Sequence, residues 1–186
     1  VPRPVPFSLS SLLQRLGDDF APLAEAKGLR LVLRPGHGLS PPNALADPIL
    51  LERVVRNLLC NALQHTRRGG VLVRWRLDDD NARWQVAVWD TGCGIEPEEQ
   101  PRVFGEFYQA RAARGLGHGG LGLGLAIVER LSRLMDLRIR LDSRPARGTR
   151  FTLSLPATRL AASCAEEAAC GPLPRRLPRE TGLAPG

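Results

Sequence analysis

Residues 47–66 read DPILLERVVRNLLCNALQHT, and this stretch decides the fold. Asp47 followed by Pro48 marks a helix start, because a carboxylate can cap free amides and Pro at the first helical position has no N–H to leave unpaired. Leu51, Val54, Val55, Leu58 and Ala62 then recur at helical spacing, so one helix is expected to about Thr66 with that stripe in a core. The same segment carries Asn57, Asn61, Gln64 and His65, which at about 100° per residue share one flank. Carboxamides pressed beside a core cost free energy unless they find partners. A bound metal-phosphate group would supply them, and an amide oxygen is a hard ligand suited to Mg²⁺. The plainer alternative is that the four side chains face solvent beside the core.

Before this helix, Ser8 to Lys27 carries Leu12, Leu13, Leu16, Phe20 and Leu23 at helical spacing, with Gly28 as the residue just past its end. Leu29 to Leu33 reads as a short strand and Pro35 to Asn43 as a loop. After it, Val71 to Leu77 and Arg83 to Asp90 alternate as strands, joined by a turn at Asp78-Asp79-Asp80-Asn81. A glycine-dense run from Gly115 to Gly124 leads into an apolar helix, Leu125 to Met135. Two further strands turn Ile139, Leu141, Phe151, Leu153 and Leu155 inward and Arg138, Arg140, Arg150 and Ser154 outward, the latter reading as solvated surface. Half-apolar strands with three main helices imply an α/β (α+β) two-layer sandwich with one sheet face open. Beyond Pro156 the Ala-, Pro- and Arg-rich sequence lacks periodicity, so residues 1–156 are expected to form one domain and residues 157–186 a flexible tail.

The 186 residues, 43% apolar, suit a single domain. No stretch approaches the roughly 18 apolar residues of a membrane span, and Val1-Pro2-Arg3-Pro4 has neither initiator Met nor signal peptide, so an excised soluble fragment is expected. Cys60, Cys93, Cys164 and Cys170 lack CxxC spacing and read as reduced thiols, with a Cys164–Cys170 disulfide the alternative. The formal charge of +7 would steer polyanions. Lys27 is the only lysine, however, and no basic run is interleaved with aromatics, so no specific nucleic-acid partner is expected.

Asn57-Leu58-Leu59-Cys60-Asn61-Ala62 resembles the N box of the ATPase superfamily that includes histidine kinases, DNA gyrase, Hsp90 and MutL proteins. Asp90-Thr91-Gly92-Cys93-Gly94-Ile95 resembles its D-x-G-x-G motif. Val103-Phe104-Gly105-Glu106-Phe107-Tyr108-Gln109 resembles the F box of histidine kinases, which the other branches do not share, with packing the expected role of Phe104 and Phe107. Gly120-Leu121-Gly122-Leu123-Gly124-Leu125-Ala126-Ile127-Val128 resembles their G2 box, and Arg147-Gly148-Thr149-Arg150-Phe151 their final strand entry.

The resemblance implies a Bergerat fold with a mixed, mostly antiparallel sheet, binding ATP and Mg²⁺ between helices and sheet. It makes Asn61 the Mg²⁺ ligand and puts Asn57 where hydrolysing members carry a glutamate, which favours phosphate transfer over hydrolysis. Gln64 stands where the family often has a cation, and His65 makes an adenine- or phosphate-side contact. Asp90 accepts from the adenine amino group, Gly92 and Gly94 let the backbone approach the base, Ile95 packs on it, and the Thr149 hydroxyl joins that network. Gly120, Gly122, Leu123, Gly124 and Leu125 present amides to phosphate at a helix entrance. Ala110 to Gly119 would form a lid over ATP, with Arg111 and Arg114 able to touch phosphate and His118 without chemistry.

His37, His65 and His118 lie outside any phosphoacceptor context, so no catalytic residue is expected here beyond those that position ATP and Mg²⁺. The implied protein is a homodimeric inner-membrane sensor histidine kinase of a two-component phosphorelay. Its cytosolic catalytic domain would serve a helical dimerisation and phosphoacceptor domain and a response-regulator receiver, the fragment itself being monomeric. The competing readings are a nucleotide-sensing pseudokinase and an anti-sigma-type serine kinase.

Overall fold

Alternation in two neighbouring strands sets the layers. In β4 (Gly70–Leu77) and β5 (Arg83–Asp90), Val71, Val73, Trp75, Trp84, Val86 and Val88 are buried while Arg74, Arg76 and Trp89 are exposed. The computed structural model describes residues 1–36, 42–80, 82–108 and 122–158. Within them the elements run β1 (Val5–Phe7), α1 (Leu9–Ala26), β2 (Arg30–Gly36), β3 (Asn43–Ala46), α2 (Pro48–His65), β4, β5, a 3₁₀ turn (Gln100–Arg102), α3 (Gly124–Leu134), β6 (Arg138–Arg144) and β7 (Gly148–Thr158). The helices cover one face of the sheet, as the α/β (α+β) sandwich expected, and the other face is open.

The sheet order is β1-β3-β7-β5-β4-β2, with β6 also paired to β7. Only β2 and β4 run parallel; every other pair is antiparallel. Strand β7 is the hub, pairing β5 over Thr149 to Pro156, β6 over Gly148 to Ser154, and β3 through Ala157 and Thr158. Residues 157–158 therefore belong to the sheet rather than to the tail expected from Pro156 onward, because their backbone groups pair with Ala44 and Asn43. Strand β3, which begins at Asn43, and the extension of β2 through Pro35 and Gly36 correct the loop expected at 35–43 in part, and β1 is a further strand not expected from the sequence. Residues 37–41, with His37, lie outside the described residues, as do Asn81 and residues 159–186, with Cys164, Cys170 and the rest of the expected tail.

Local chemistry explains the boundaries. Ser8 caps α1 by accepting the Ser11 N–H at 3.3 Å. Gly28 leaves the helix at φ 65° while its N–H bonds Glu25 O at 2.8 Å and Leu29 N–H bonds Ala24 O at 2.9 Å. Asp47 caps α2 through Ile49 N–H at 3.0 Å and Leu50 N–H at 3.1 Å, and its other oxygen accepts Arg3 N–H at 2.9 Å. These amides hold its carboxyl below the usual range. Asp78 closes the β4–β5 hairpin by accepting the Ala82 and Arg83 N–H groups at 2.9 and 3.1 Å.

The core lies between α1, α2, α3 and the inner sheet face, where Leu16, Leu51, Val54, Val55, Val86, Val128, Leu153 and Leu155 are wholly buried. Leu153 sits on the hub strand, so truncating it leaves a cavity flanked on both sides by paired strands that have little freedom to collapse. Leu153→Ala is expected to cost about 3 kcal/mol in urea unfolding, against under about 0.5 kcal/mol for Arg138→Ala on the open face.

Candidate functional site

Alternation along β5 carries its last residue, Asp90, inward, and only 4% of its surface is exposed. The carboxylate accepts the Gly92 N–H at 2.8 Å, with Thr149 of β7 directly opposite and also bonding to it through its backbone. Burial outweighs these two bonds and pushes the Asp90 carboxyl up to about 6. A side chain at Gly92 would collide with His65 O and the Asp90 carboxylate, and one at Gly148 with Asp90 O. Both glycines are required for the backbone to close around the acid. Gly94, at φ 70°, lies against Arg144 O in the same turn.

A hydroxyl network braces this end. The Ser143 and Thr149 hydroxyls are 3.0 Å apart, Ser143 Oγ also donates to Gly148 O at 3.0 Å, and it accepts the Ile95 N–H at 2.9 Å. Gln100 Nε2 donates to Ile95 O and Ser143 O, both at 3.1 Å. Neither Ser143 nor Gln100 was singled out from the sequence; for Ser143 the inward parity of Ile139 and Leu141 was the available signal. The Thr91 hydroxyl, bonded to Arg68 O at 3.0 Å, ties the strand end to the loop leaving α2.

Helix α2 leads from this acid towards α3. Its last residue, His65, accepts the Cys93 N–H on its carbonyl at 3.4 Å, while its buried Nδ1 has no hydrogen-bond partner among the described residues. Desolvation, aided by Lys27, lowers its pKa and keeps the imidazole neutral. Gln64 is half-buried, as is Asn61, whose carboxamide makes no hydrogen bond among the described residues. At the far end Asn57 donates to Arg53 O at 2.7 Å, and its Oδ1 lies 3.5 Å from where a Cβ on Gly124 would stand. Gly124, the first residue of α3, thus stands within contact range of Asn57, which puts the helix entrance beside that side chain. The eight residue steps from Asn57 to His65 span about 12 Å, the scale of a nucleoside triphosphate.

The structure therefore brings Asn57, Asn61, Gln64, His65, Asp90, Gly92, Gly94, Ile95, Gly124 and Thr149 along one side of the molecule. Leu123 and Leu125 flank the α3 entrance, and Gly122 turns at φ 69° against Tyr108 O. Gly120 lies outside the described residues, as does the expected lid with Arg111, Arg114 and His118. Phe104 packs edge-on against Phe151 at 6.2 Å, as expected, but Phe107 does not pack. Its left-handed φ of 61° turns the ring out to 70% exposure, while Tyr108 is anchored by its hydroxyl donating to Glu99 at 3.0 Å.

Burial holds the Asp90 carboxyl at about 6 in the fold against its free value of 3.8, so ionising it destabilises the fold: the contribution of this group to stability is fullest below pH 4 and is lost as pH rises through about 6. The span corresponds to roughly 3 kcal/mol. Asp90→Asn is expected to gain stability over the wild type in urea unfolding at pH 8 and to lose that advantage at pH 4, provided nucleotide is absent.

Residues 46–159 match the family model described as histidine kinase-, DNA gyrase B-, and HSP90-like ATPase. The chain is 36% identical over 160 residues to the sensor histidine kinase GacS of Pseudomonas protegens, covering 83% of this chain and 17% of that protein. It is 37% identical over 150 residues to the signal transduction histidine-protein kinase BarA of Escherichia coli K12, covering 79% and 16%. Full-length ShkA, solved in complex with AMPPNP, superposes with a TM-score of 0.73 at 31% identity over 86% of this chain and 32% of that one. The chain spans about a sixth of the length of the curated relatives it matches. It belongs to the histidine kinase-, DNA gyrase B- and HSP90-like ATPase family, as an ATP-binding catalytic domain of the sensor histidine kinase type.

Proposed function

We propose that the domain grips adenine at Asp90 and the Mg-triphosphate at Asn57, Asn61 and the α3 entrance, and that the intact protein moves the γ-phosphoryl group to a histidine nitrogen. The observation that carries this reading is the continuity of the two ends: the Asp90 turn touches the last residue of α2, and the same helix reaches Gly124 through Asn57. A buried carboxylate that can only accept favours the amino group of adenine and repels the carbonyl of guanine. Ile95 and Gly94 line the base side, and Thr149 steadies the acid through its backbone.

The residues fit a magnesium ion. Asn61 offers an uncommitted amide oxygen on the flank that also carries Asn57, and such an oxygen is a hard ligand. Bound there, Mg²⁺ would neutralise charge on the phosphates. Asn57, already donating to Arg53 O, lacks a carboxylate's ability to take a proton from water, which favours retention of ATP for transfer. Gly124 leaves room for the phosphates at the α3 dipole, and the leucines Leu123 and Leu125 flank that entrance. Gln64 supplies a neutral hydrogen bond in place of a cation, and the neutral His65 can donate or accept beside the base.

The acceptor histidine would stand on a helical dimerisation domain of the parent, with a response-regulator receiver as the next acceptor. The names of the relatives and the small share of their length matched here support a larger sensor kinase as the parent, which in this reading is homodimeric and membrane-associated with this domain in the cytosol. No described helix is long and apolar enough to cross a membrane. Residues 1–158 form the catalytic domain in this reading, with 159–186 as its tail.

Isothermal titration with Mg-ATP and Mg-GTP tests the assignment. ATP is expected to bind at least about tenfold tighter than GTP, Asp90→Ala to erase that preference, and Asn61→Ala to erase the gain from adding Mg²⁺. Radiolabelled γ-phosphate is expected to stay off the isolated chain; stable label on it would contradict the proposed division between donor and acceptor domains.

A further inference from the structure

The open sheet face segregates the molecule's charge. Register places Arg34, Arg74 and Arg140 on one row across the strands and Arg76 and Arg138 on the next. The single carboxylate among these rows and the one beside them is Asp142, and it is shared by Arg140 and Arg150 at 2.9 Å each. Arg34, Arg74 and Arg138 form no ion pair among the described residues, and Arg76 reaches Asp79 only at 3.9 Å. The three helices, in contrast, carry five arginines (15, 53, 56, 130 and 133) and five carboxylates (18, 19, 25, 52 and 129). A general preference for arginine would load both layers; here one layer is balanced and the other strongly cationic.

Beside the cationic rows runs an apolar one. Val32 pairs with Leu72 and Leu72 with Trp89, giving three large apolar side chains side by side. Val32 and Trp89 are 39% and 47% exposed. Arg150 stacks over the Trp89 ring at 5.3 Å and is itself held by Asp142, so the indole is ordered in advance. Neighbouring strands lie about 4.8 Å apart and successive rows about 7 Å apart.

We propose that this face docks an acidic amphipathic helix of a protein partner, lying across the strands with its apolar ridge on Val32, Leu72 and Trp89 and its carboxylates on Arg34, Arg74 and Arg140. From β2 to β6 the face spans about 19 Å, which about 13 helical residues match. Trp and Arg side by side are the residue types that dominate protein-interface energetics. A phosphodiester backbone offers nothing to the apolar row, and the one exposed indole is already covered by a guanidinium, so a base-stacking platform is absent. On a pleated sheet the apolar side chains also stand no higher than the flanking guanidiniums, which is unsuited to insertion below lipid headgroups.

The test uses the chain with a fluorescein-labelled synthetic helix of about 14 residues, leucines on one stripe and glutamates on the adjoining flank, at about 0.15 M salt. Trp75 and Trp84 are each 1% exposed, so a blue shift of indole emission reports Trp89. Binding with that shift is expected. Anisotropy should show at least about tenfold weakening by Arg34→Glu, Arg74→Glu or Trp89→Ala, with Mg-ATP affinity unchanged because the nucleotide side faces the helices. The proposal is overturned if the peptide does not bind, if its Glu→Gln version binds equally, or if the variants bind as the wild type does. It is also overturned if duplex DNA or phosphatidylserine vesicles bind more tightly than the peptide at the same salt.

Discussion

A carboxylate kept almost out of water at the end of β5 constrains everything around it. Asp90 has two backbone amides as partners, too few to offset the loss of hydration, so the fold holds a charge it would be more stable without. That cost explains the crowding of exceptional backbone near it. Gly92 must come close enough to donate, and Gly148, at φ 93°, must let β7 enter directly over the Asp90 carbonyl. The Ser143, Thr149 and Gln100 bonds then prevent the turn from relaxing away from the acid. A ligand that donates a hydrogen bond to Asp90 recovers part of this stored free energy, which is how a binding site can be less stable empty than filled.

Helix α2 meets two demands along one cylinder. Leu51, Val54, Val55 and Leu58 are buried, while Asn57, Asn61 and Gln64 remain half-exposed on the adjoining flank. Its C-terminal end is secured from outside the site: Lys27 Nζ donates to Leu63 O at 3.1 Å and the Thr66 hydroxyl donates to Ala62 O at 2.7 Å. The cation suits the negative end of the helix dipole and, from the same place, discourages protonation of His65. One lysine thereby helps secure the end of a helix and adds to the burial that keeps His65 neutral.

The long elements were legible because each repeats a burial pattern several times over: α1, α2, α3, β4 and β5 were placed within a residue or two at each end. Strands β1 and β3 were not, since three or four residues are too few for alternation to stand out, and Pro6, which has no N–H to give a ladder, argues against a strand at β1. The candidate site residues were named from contiguous motifs, and their placement along one side of the molecule follows from the layer order. Ser143 was not, because its role depends on standing beside Thr149 across β6 and β7, a relation that exists only in the sheet. Phe107 misled because an aromatic near apolar neighbours suggests packing, whereas a left-handed backbone at that residue turns the ring away.

The hub position of β7 orders the assembly of the domain in time. During synthesis every earlier element emerges before the strand that joins β3, β5 and β6, so β5 waits with one edge unpaired until residues beyond 148 are available. Such an edge is a template for another chain. The nascent domain is therefore most vulnerable to aggregation just before β7 emerges, and a premature stop upstream of Gly148 removes the strand that joins β3, β5 and β6.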